Sequence, residues 1–330
     1  MSALVTGATG FIGSHLLPKL LENGYKVRCL TRSGAARQKL SGLPVEFCIG
    51  DLSDPASLEK AVRGVDYVFH LAGLTKTDKE HEFYDVNARG TKNLAQAVAR
   101  ENPGLKKFIY LSSLSAAGPV LDGMPPLTED IPPHPVSHYG KSKLQGEEAV
   151  LEIAGRVPVT ILRPTAVYGP GDKDFYLLFK MIKKGLFLYW GEGSYSLIYV
   201  QDLVDAIVKA AGIPGQKGSQ QAGIYFLSDG NIYTITEIAG SIAGAMPWAK
   251  REKPFRVPVP RFLLPMAAVF CGIGGRDSGI INRDKIREMG FKDWCCDADR
   301  ARREIGFEPK ITLKEGVKWT ADWYRIHQWL

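Results

Sequence analysis

Tyr139-Gly-Lys-Ser-Lys143 is the stretch of this 330-residue chain best suited to acid–base chemistry. Tyr139 and Lys143 stand at i and i+4, so on a helix they share one face. An ammonium beside a phenol favours the phenolate, so Lys143 is expected to lower the pKa of Tyr139. A phenol tuned in that way exchanges a proton with a substrate hydroxyl or carbonyl. The reacting oxygen needs a second hydrogen-bond partner to orient it. Ile109-Tyr-Leu-Ser-Ser113 reads as a strand that ends in two hydroxyls at a sheet edge, where one serine can donate that bond.

Tyr-x-x-x-Lys is commonplace on surface helices and gains meaning from its company. That company begins at the N-terminus, Thr6-Gly-Ala-Thr-Gly-Phe-Ile-Gly13. A short apolar run precedes it, and an amphipathic run from Phe11 to Glu22 follows and stops at Asn23-Gly24. The pattern predicts a strand, a tight turn and a helix. Glycine lets a backbone turn sharply and lets a bulky anion approach the amides. A first helical turn offers free N–H groups and a partial positive charge, where a pyrophosphate can sit. Gly7, Gly10 and Gly13 are spaced G-x-x-G-x-x-G, one residue longer in the first gap than G-x-G-x-x-G.

The elements that must position these groups alternate. Strands are expected over Tyr25–Leu30, Val45–Ile49, Val65–Leu71, Lys107–Ser112 and Val157–Leu162. Helices are expected over Ser57–Arg63, Phe83–Arg100 and Ser137–Ala154, and Pro18 should bend the first helix or mark an irregularity in it. Such a rhythm implies an α/β fold with a doubly wound parallel sheet of the Rossmann kind. The dinucleotide-binding domain is expected over residues 1–165. Beyond Arg163 the rhythm breaks and Pro and Gly become frequent. Helical patterns recur at Asp202–Ala211, Thr234–Ala245 and Leu313–Tyr324, with short strands at Tyr195–Tyr199 and Ile224–Leu227. Residues 166–330 therefore read mainly as a smaller mixed α/β substrate-binding cap, with segments returning to the sheet.

Composition sets outer bounds. The chain is 45% apolar and 23% charged, as soluble globular proteins are. Its net charge of +7 suits an anionic cofactor or substrate. Lys106-Lys107, Lys183-Lys184 and Arg300 to Arg303 are short runs that read as solvated faces, and no nucleic-acid recognition motif appears. Five cysteines without a C-x-x-C pair, and no leader-like N-terminus, point to a reducing cytoplasm and to no metal cage. The apolar run Phe262 to Ile273 is shorter than the roughly 20 residues of a membrane span. It reads as a packed helix, with a substrate-cavity wall or a membrane-surface contact as alternatives.

With these motifs in place, the chain resembles the extended short-chain dehydrogenases/reductases. That superfamily holds nucleotide-sugar epimerases and dehydratases, 3β-hydroxysteroid dehydrogenases and dihydroflavonol reductases. Further matching motifs are Gly50-Asp51-Leu52, His70-Leu-Ala-Gly73, Asn87-Ala-Arg-Gly-Thr91, Arg163-Pro-Thr-Ala-Val-Tyr-Gly-Pro-Gly171, Tyr199-Val-Gln-Asp-Leu203 and Arg303-Glu-Ile-Gly-Phe-Glu-Pro309. The resemblance implies an acid/base role for Tyr139, with Lys143 tuning it and holding the nicotinamide ribose. Ser113 would bind the reacting oxygen ahead of Ser112 or Ser115. Gly7, Gly10 and Gly13, with the Phe11 and Ile12 amides, would carry the pyrophosphate. Asp51 and Leu52 would flank the adenine, Leu71, Ala72 and Gly73 would line the cofactor's path, and Pro164 to Val167 would wrap the nicotinamide end. Asn87 would tie its helix to a neighbouring strand. A homodimer through the Phe83–Arg100 and Ser137–Ala154 helices is also implied.

Cofactor and substrate class follow from departures. Where an NAD enzyme usually carries an acidic residue after the second strand, this chain has Arg32, which can pair with a 2′-phosphate. Ser33 and Arg37 could assist. The reading prefers NADP(H) and keeps NAD(H) open. Sugar-nucleotide enzymes of the superfamily place a tyrosine in the turn after the serine, and here that position is Ala117. Leu114 stands where a dehydratase would want an acid, and arginines after residue 250 are scattered. The expected reaction is hydride transfer to or from a secondary alcohol or ketone with an apolar part. A nucleotide-sugar 4-epimerase and a non-catalytic dinucleotide sensor are the alternatives.

Overall fold

The computed structural model describes residues 1–32, 34, 38–189, 191–212, 223–251, 253–260, 263 and 283–330. Seven parallel strands form one sheet: β1 (Ser2–Thr6), β2 (Lys26–Thr31), β3 (Glu46–Ile49), β4 (Tyr67–His70), β5 (Lys107–Leu111), β6 (Val159–Pro164) and β11 (Gly223–Leu227). Their spatial order is β3-β2-β1-β4-β5-β6-β11. The chain runs outward from β1 to β3, then returns to lay β4 on the other side of β1. That reversal leaves a crevice at the carboxyl ends of β1 and β4, the usual ligand position in such sheets. The doubly wound α/β architecture expected from the sequence is present.

Both faces of the sheet are covered, which is why β5 and β6 are buried at every residue. Helix α1 (Phe11–Glu22) and helix α8 (Val200–Gly212) cover one face, burying Leu16, Leu17, Leu20, Leu203 and Ile207 against Val5, Phe69 and Ile109. Pro18 lies inside α1, and the helix continues past it to Glu22. On the other face lie α2 (Pro55–Val62), α4 (Thr91–Glu101) and α6 (His138–Leu151), packed around Leu58, Leu94, Val98, Phe108 and Tyr110. Helix α4 continues a longer rod that begins as α3 (Glu80–Phe83) and passes through a π-helical stretch, Tyr84–Gly90.

The later half is built differently. Three two-stranded ribbons pair β7 (Ala166–Tyr168) with β10 (Leu197–Tyr199), β8 (Leu186–Tyr189) with β13 (Phe255–Pro258), and β9 (Ser194–Tyr195) with β12 (Tyr233–Thr234). The strand expected over Tyr195–Tyr199 is thus two, serving different ribbons. Helices α7 (Asp174–Lys183), α9 (Ile235–Gly244) and α12 (Leu313–Ile326) enclose an aromatic core of Tyr168, Phe179, Phe187 and Tyr324. Helices α10 (Arg283–Met289) and α11 (Asp299–Ile305) complete this half. Strand β11 is hydrogen-bonded to β6, and α8 packs on α1. The apolar run Phe262 to Ile273 lies outside the described residues except for Leu263, as do Ser33 and Arg37. Among the described residues, no helix is long and apolar enough to cross a membrane.

Candidate active site

The glycine turn sits at the crevice. Gly7 has φ +72°, and a Cβ there would lie 2.7 Å from the Ala72 amide nitrogen. A Cβ at Gly13 would lie 2.3 Å from the Gly7 carbonyl oxygen, so the turn is tied down over the helix start. Gly10 is the N-cap of α1 and no side chain caps the helix, which leaves the Phe11 and Ile12 end facing an exposed Gly10. Beneath it, Thr6 Oγ1 bonds His70 Nδ1 at 2.7 Å and accepts the Ala72 N–H at 3.1 Å. His70 Nε2 reaches Thr91 Oγ1 at 2.9 Å. Burial pushes His70 down to about 3, so it is a neutral strut under the turn.

At the far end of the crevice Arg32 is exposed and close enough to Asp51 to help hold that carboxyl below its usual value, after the two bonds from Ser53. Leu52 packs beside it, against the position where a Gly90 side chain would stand. Leu71, Ala72 and Gly73 follow β4 directly. Pro164 is buried at the end of β6, and Val167 lies in β7. His15 of α1 bonds the Pro170 carbonyl at 2.8 Å, so this last segment closes over the helix. The tight glycine turn and the helix start without a side-chain cap have the chemistry that a pyrophosphate needs.

The proposed chemistry lies where β5 ends and α6 begins. Ser113 caps the short helix α5 (Leu114–Ala117) and accepts the Ser115 N–H at 3.1 Å. A Cβ at Gly140 would lie 2.2 Å from the Ser115 carbonyl oxygen, so only glycine lets this turn rest on the first turn of α6. The close approach brings Ser113 near the Tyr139 hydroxyl, where it helps to lower that group. Ser112 does not compete, because its hydroxyl is bonded to Glu147.

Lys143 differs from expectation. Its Nζ donates to the Leu111 carbonyl at 2.7 Å and stands 4.2 Å from the centre of the Tyr110 ring. Burial pushes it down to about 7, against the pull of Glu147. Tyr139 in the protein alone is not lowered. Burial raises it to about 12, and the groups pulling it down are Ser113 and Lys285, not Lys143. The physical reason is desolvation of the phenolate, while the Lys143 ammonium is turned to the Leu111 carbonyl.

Three supports surround these groups, and of them only Asn87 was expected from the sequence. Glu147 forms a buried two-pronged ion pair with Arg163, at 2.6 and 2.9 Å. It extends the stripe 139, 143, 147 by one more i+4 step, so periodicity could have found it. Asn87 binds Leu74 through both its amide groups and donates to Ser142 at 2.9 Å. It thus ties its helix to the loop after β4 and to α6, rather than to a strand. Its place in a π-helical stretch agrees with the frequent use of such bulges at functional sites. Asp284, Lys285 and Glu288 approach Tyr139 from helix α10, and nothing in the sequence signalled them.

A Rossmann crevice with a Ser, Tyr and Lys at its mouth defines a dinucleotide-dependent enzyme of the extended short-chain dehydrogenase/reductase type. The chain belongs to the NAD dependent epimerase/dehydratase family, whose family model matches residues 3–222. It is 31% identical over 331 residues to a ceramide reductase of Caulobacter vibrioides, covering 99% of this chain and 95% of that protein. It is 32% identical over 335 residues to a UDP-glucose 4-epimerase of Vibrio cholerae, covering 97% and 94%. A Thermotoga maritima UDP-glucose 4-epimerase solved with UDP-glucose shares the fold, with a TM-score of 0.79 at 24% identity over 99% and 100% of the two chains.

Proposed function

We propose that this protein is an NADP(H)-preferring oxidoreductase that moves a hydride to or from a secondary alcohol or ketone bearing an apolar part. The observation that carries the reading is Ser113 beside Tyr139 at the carboxyl edge of the sheet, with Lys143 one turn behind it. Ser113 binds the reacting oxygen and Tyr139 delivers or removes its proton. Lys143 is placed to bind a ribose hydroxyl, and its return to full charge there would draw Tyr139 down towards the working range. The bound dinucleotide supplies the hydride acceptor or donor. Gly7, Gly10, Gly13 and the Phe11 and Ile12 amides hold its pyrophosphate, and Asp51 and Leu52 its adenine. Leu71 to Gly73, Pro164 and Val167 line its path, and Arg32 pairs with a 2′-phosphate.

Ala117 and Leu114 bring no polar group to this end of the sheet and are buried with Val120 and Leu127, which supports an apolar substrate. The likeness to a ceramide reductase over nearly the whole chain supports a substrate of that character. The test is nicotinamide absorbance across a panel of long-chain ketones and secondary alcohols. Substrate-dependent turnover with NADP(H) favoured over NAD(H) is expected, and turnover of none of them would overturn the reading. The likeness to UDP-glucose 4-epimerase supports a second reading, in which the hydride returns to the same substrate. It predicts retained NAD and interconversion of UDP-hexoses without net absorbance change. We place a homodimer on the helices Glu80–Glu101 and His138–Leu151, and light scattering showing a monomer would remove it.

A further inference from the structure

Helix α10 belongs to the later half of the chain, yet its acidic side chains end on the first turn of α6. Asp284 Oδ1 accepts the His138 N–H at 2.7 Å, and Oδ2 accepts the Tyr139 N–H at 2.8 Å. Glu288 Oε1 accepts the Ser137 hydroxyl at 2.9 Å, and that hydroxyl oxygen accepts the Gly140 N–H at 2.9 Å. Both carboxylates are buried, at 6% and 7% exposure. Helix α6 has no acidic residue in its own first turn, so the negative charge that suits its dipole is brought from 145 residues away. Arg287 answers Asp284 at 3.3 Å and Lys285 answers Glu288 at 2.9 Å.

We infer that Asp284 is a positioning residue for the acid/base: by binding two adjacent amides it fixes the first turn of α6, so that Tyr139 meets Ser113, and it makes that alignment depend on the substrate half. This deepens the proposed function and rests on Tyr139 being the acid/base. An unheld first turn frays, because its amides have no partner within the helix. A misplaced proton donor then costs turnover, while the dinucleotide cradle at Gly7 to Gly13 is untouched. The groups acting on the Tyr139 hydroxyl are Ser113 from the β5 end, Lys285 and Glu288 from α10, and Tyr110 from β5. Phe83 packs on its ring at 6.0 Å between centroids. Lys285 pulls Tyr139 towards phenolate and Glu288 pushes it away.

The test uses the full chain with Asp284→Ala, the conservative Asp284→Asn, Lys285→Met and Glu288→Gln. Amide hydrogen exchange at His138 and Tyr139 should speed up about tenfold in Asp284→Ala, with kcat falling about tenfold and dinucleotide Kd within about twofold. Asp284→Asn should lie between, since it keeps one acceptor. The tyrosinate titration assigned by difference from Tyr139→Phe should move up in Lys285→Met and down in Glu288→Gln. Unchanged exchange and kcat in Asp284→Ala would overturn the inference. So would faster exchange throughout the chain with lost dinucleotide binding, which is what a merely structural residue gives. Exchange and titration are read without substrate, so they decide the clamp even if the catalytic reading falls.

Discussion

The two halves of this protein hold their polar groups in opposite ways. In the sheet half, two buried polar chains stay within that half: Thr6, His70 and Thr91 under the turn, and Ser112, Glu147 and Arg163 behind the site. In the later half the core is a set of aromatic edges, with Tyr324 meeting Phe179 at 5.2 Å and Tyr176 at 5.3 Å. Its carboxylates instead cap helices, as Asp172 caps α7 and Asp284 caps α6. The lesson is a division of labour. On the proposed reading, the sheet half would carry the reactive side chains and the cofactor cradle, and the later half would hold the reacting turn through Asp284.

The largest effect expected belongs to the sheet half. Tyr139→Phe should lower kcat/KM about a thousandfold, as loss of a general acid does, with dinucleotide binding unchanged by calorimetry. Strong residual turnover would mean that the proton comes from the other half. Next come the two cores. Glu147→Gln leaves Arg163 as an uncompensated buried charge and should cost about 3–5 kcal/mol in urea unfolding. Phe179→Ala should cost about the same through its cavity. A single shared transition would show that the halves unfold together, and two transitions would sharpen the contrast. At the cofactor edge, Arg32→Ala should weaken NADP binding about tenfold and leave NAD binding nearly unchanged, because only the 2′-phosphate needs the guanidinium.

The halves also differ in the pH dependence of stability, where they should slope in opposite directions. Lys143 lies at about 7 when folded, below its ordinary 10.5, so the unfolded chain binds the extra proton between those values and stability rises with pH there. Asp172 lies at about 7, raised from 3.8 by burial, so the folded chain holds the proton and stability falls as pH rises from about 4 to 7. Denaturant midpoints across pH should lose the first slope in Lys143→Met and the second in Asp172→Asn. A slope that survives its own variant belongs to another group.

The sequence by itself determined the alternation of strand and helix, the glycine turn and the Tyr139–Lys143 stripe. Each depends on a local property: which residues tolerate a tight turn, which alternate, and which repeat every 3.6 positions. Even Glu147 was within reach, as the next step of that stripe. Tertiary structure alone decided that Lys143 turns to Leu111 and that Tyr139 is raised rather than lowered, because burial is set by everything packed around a group. It also decided that Asp284 holds the Tyr139 turn. That contact joins residues 145 positions apart, and no periodic pattern in a chain carries information over such a span.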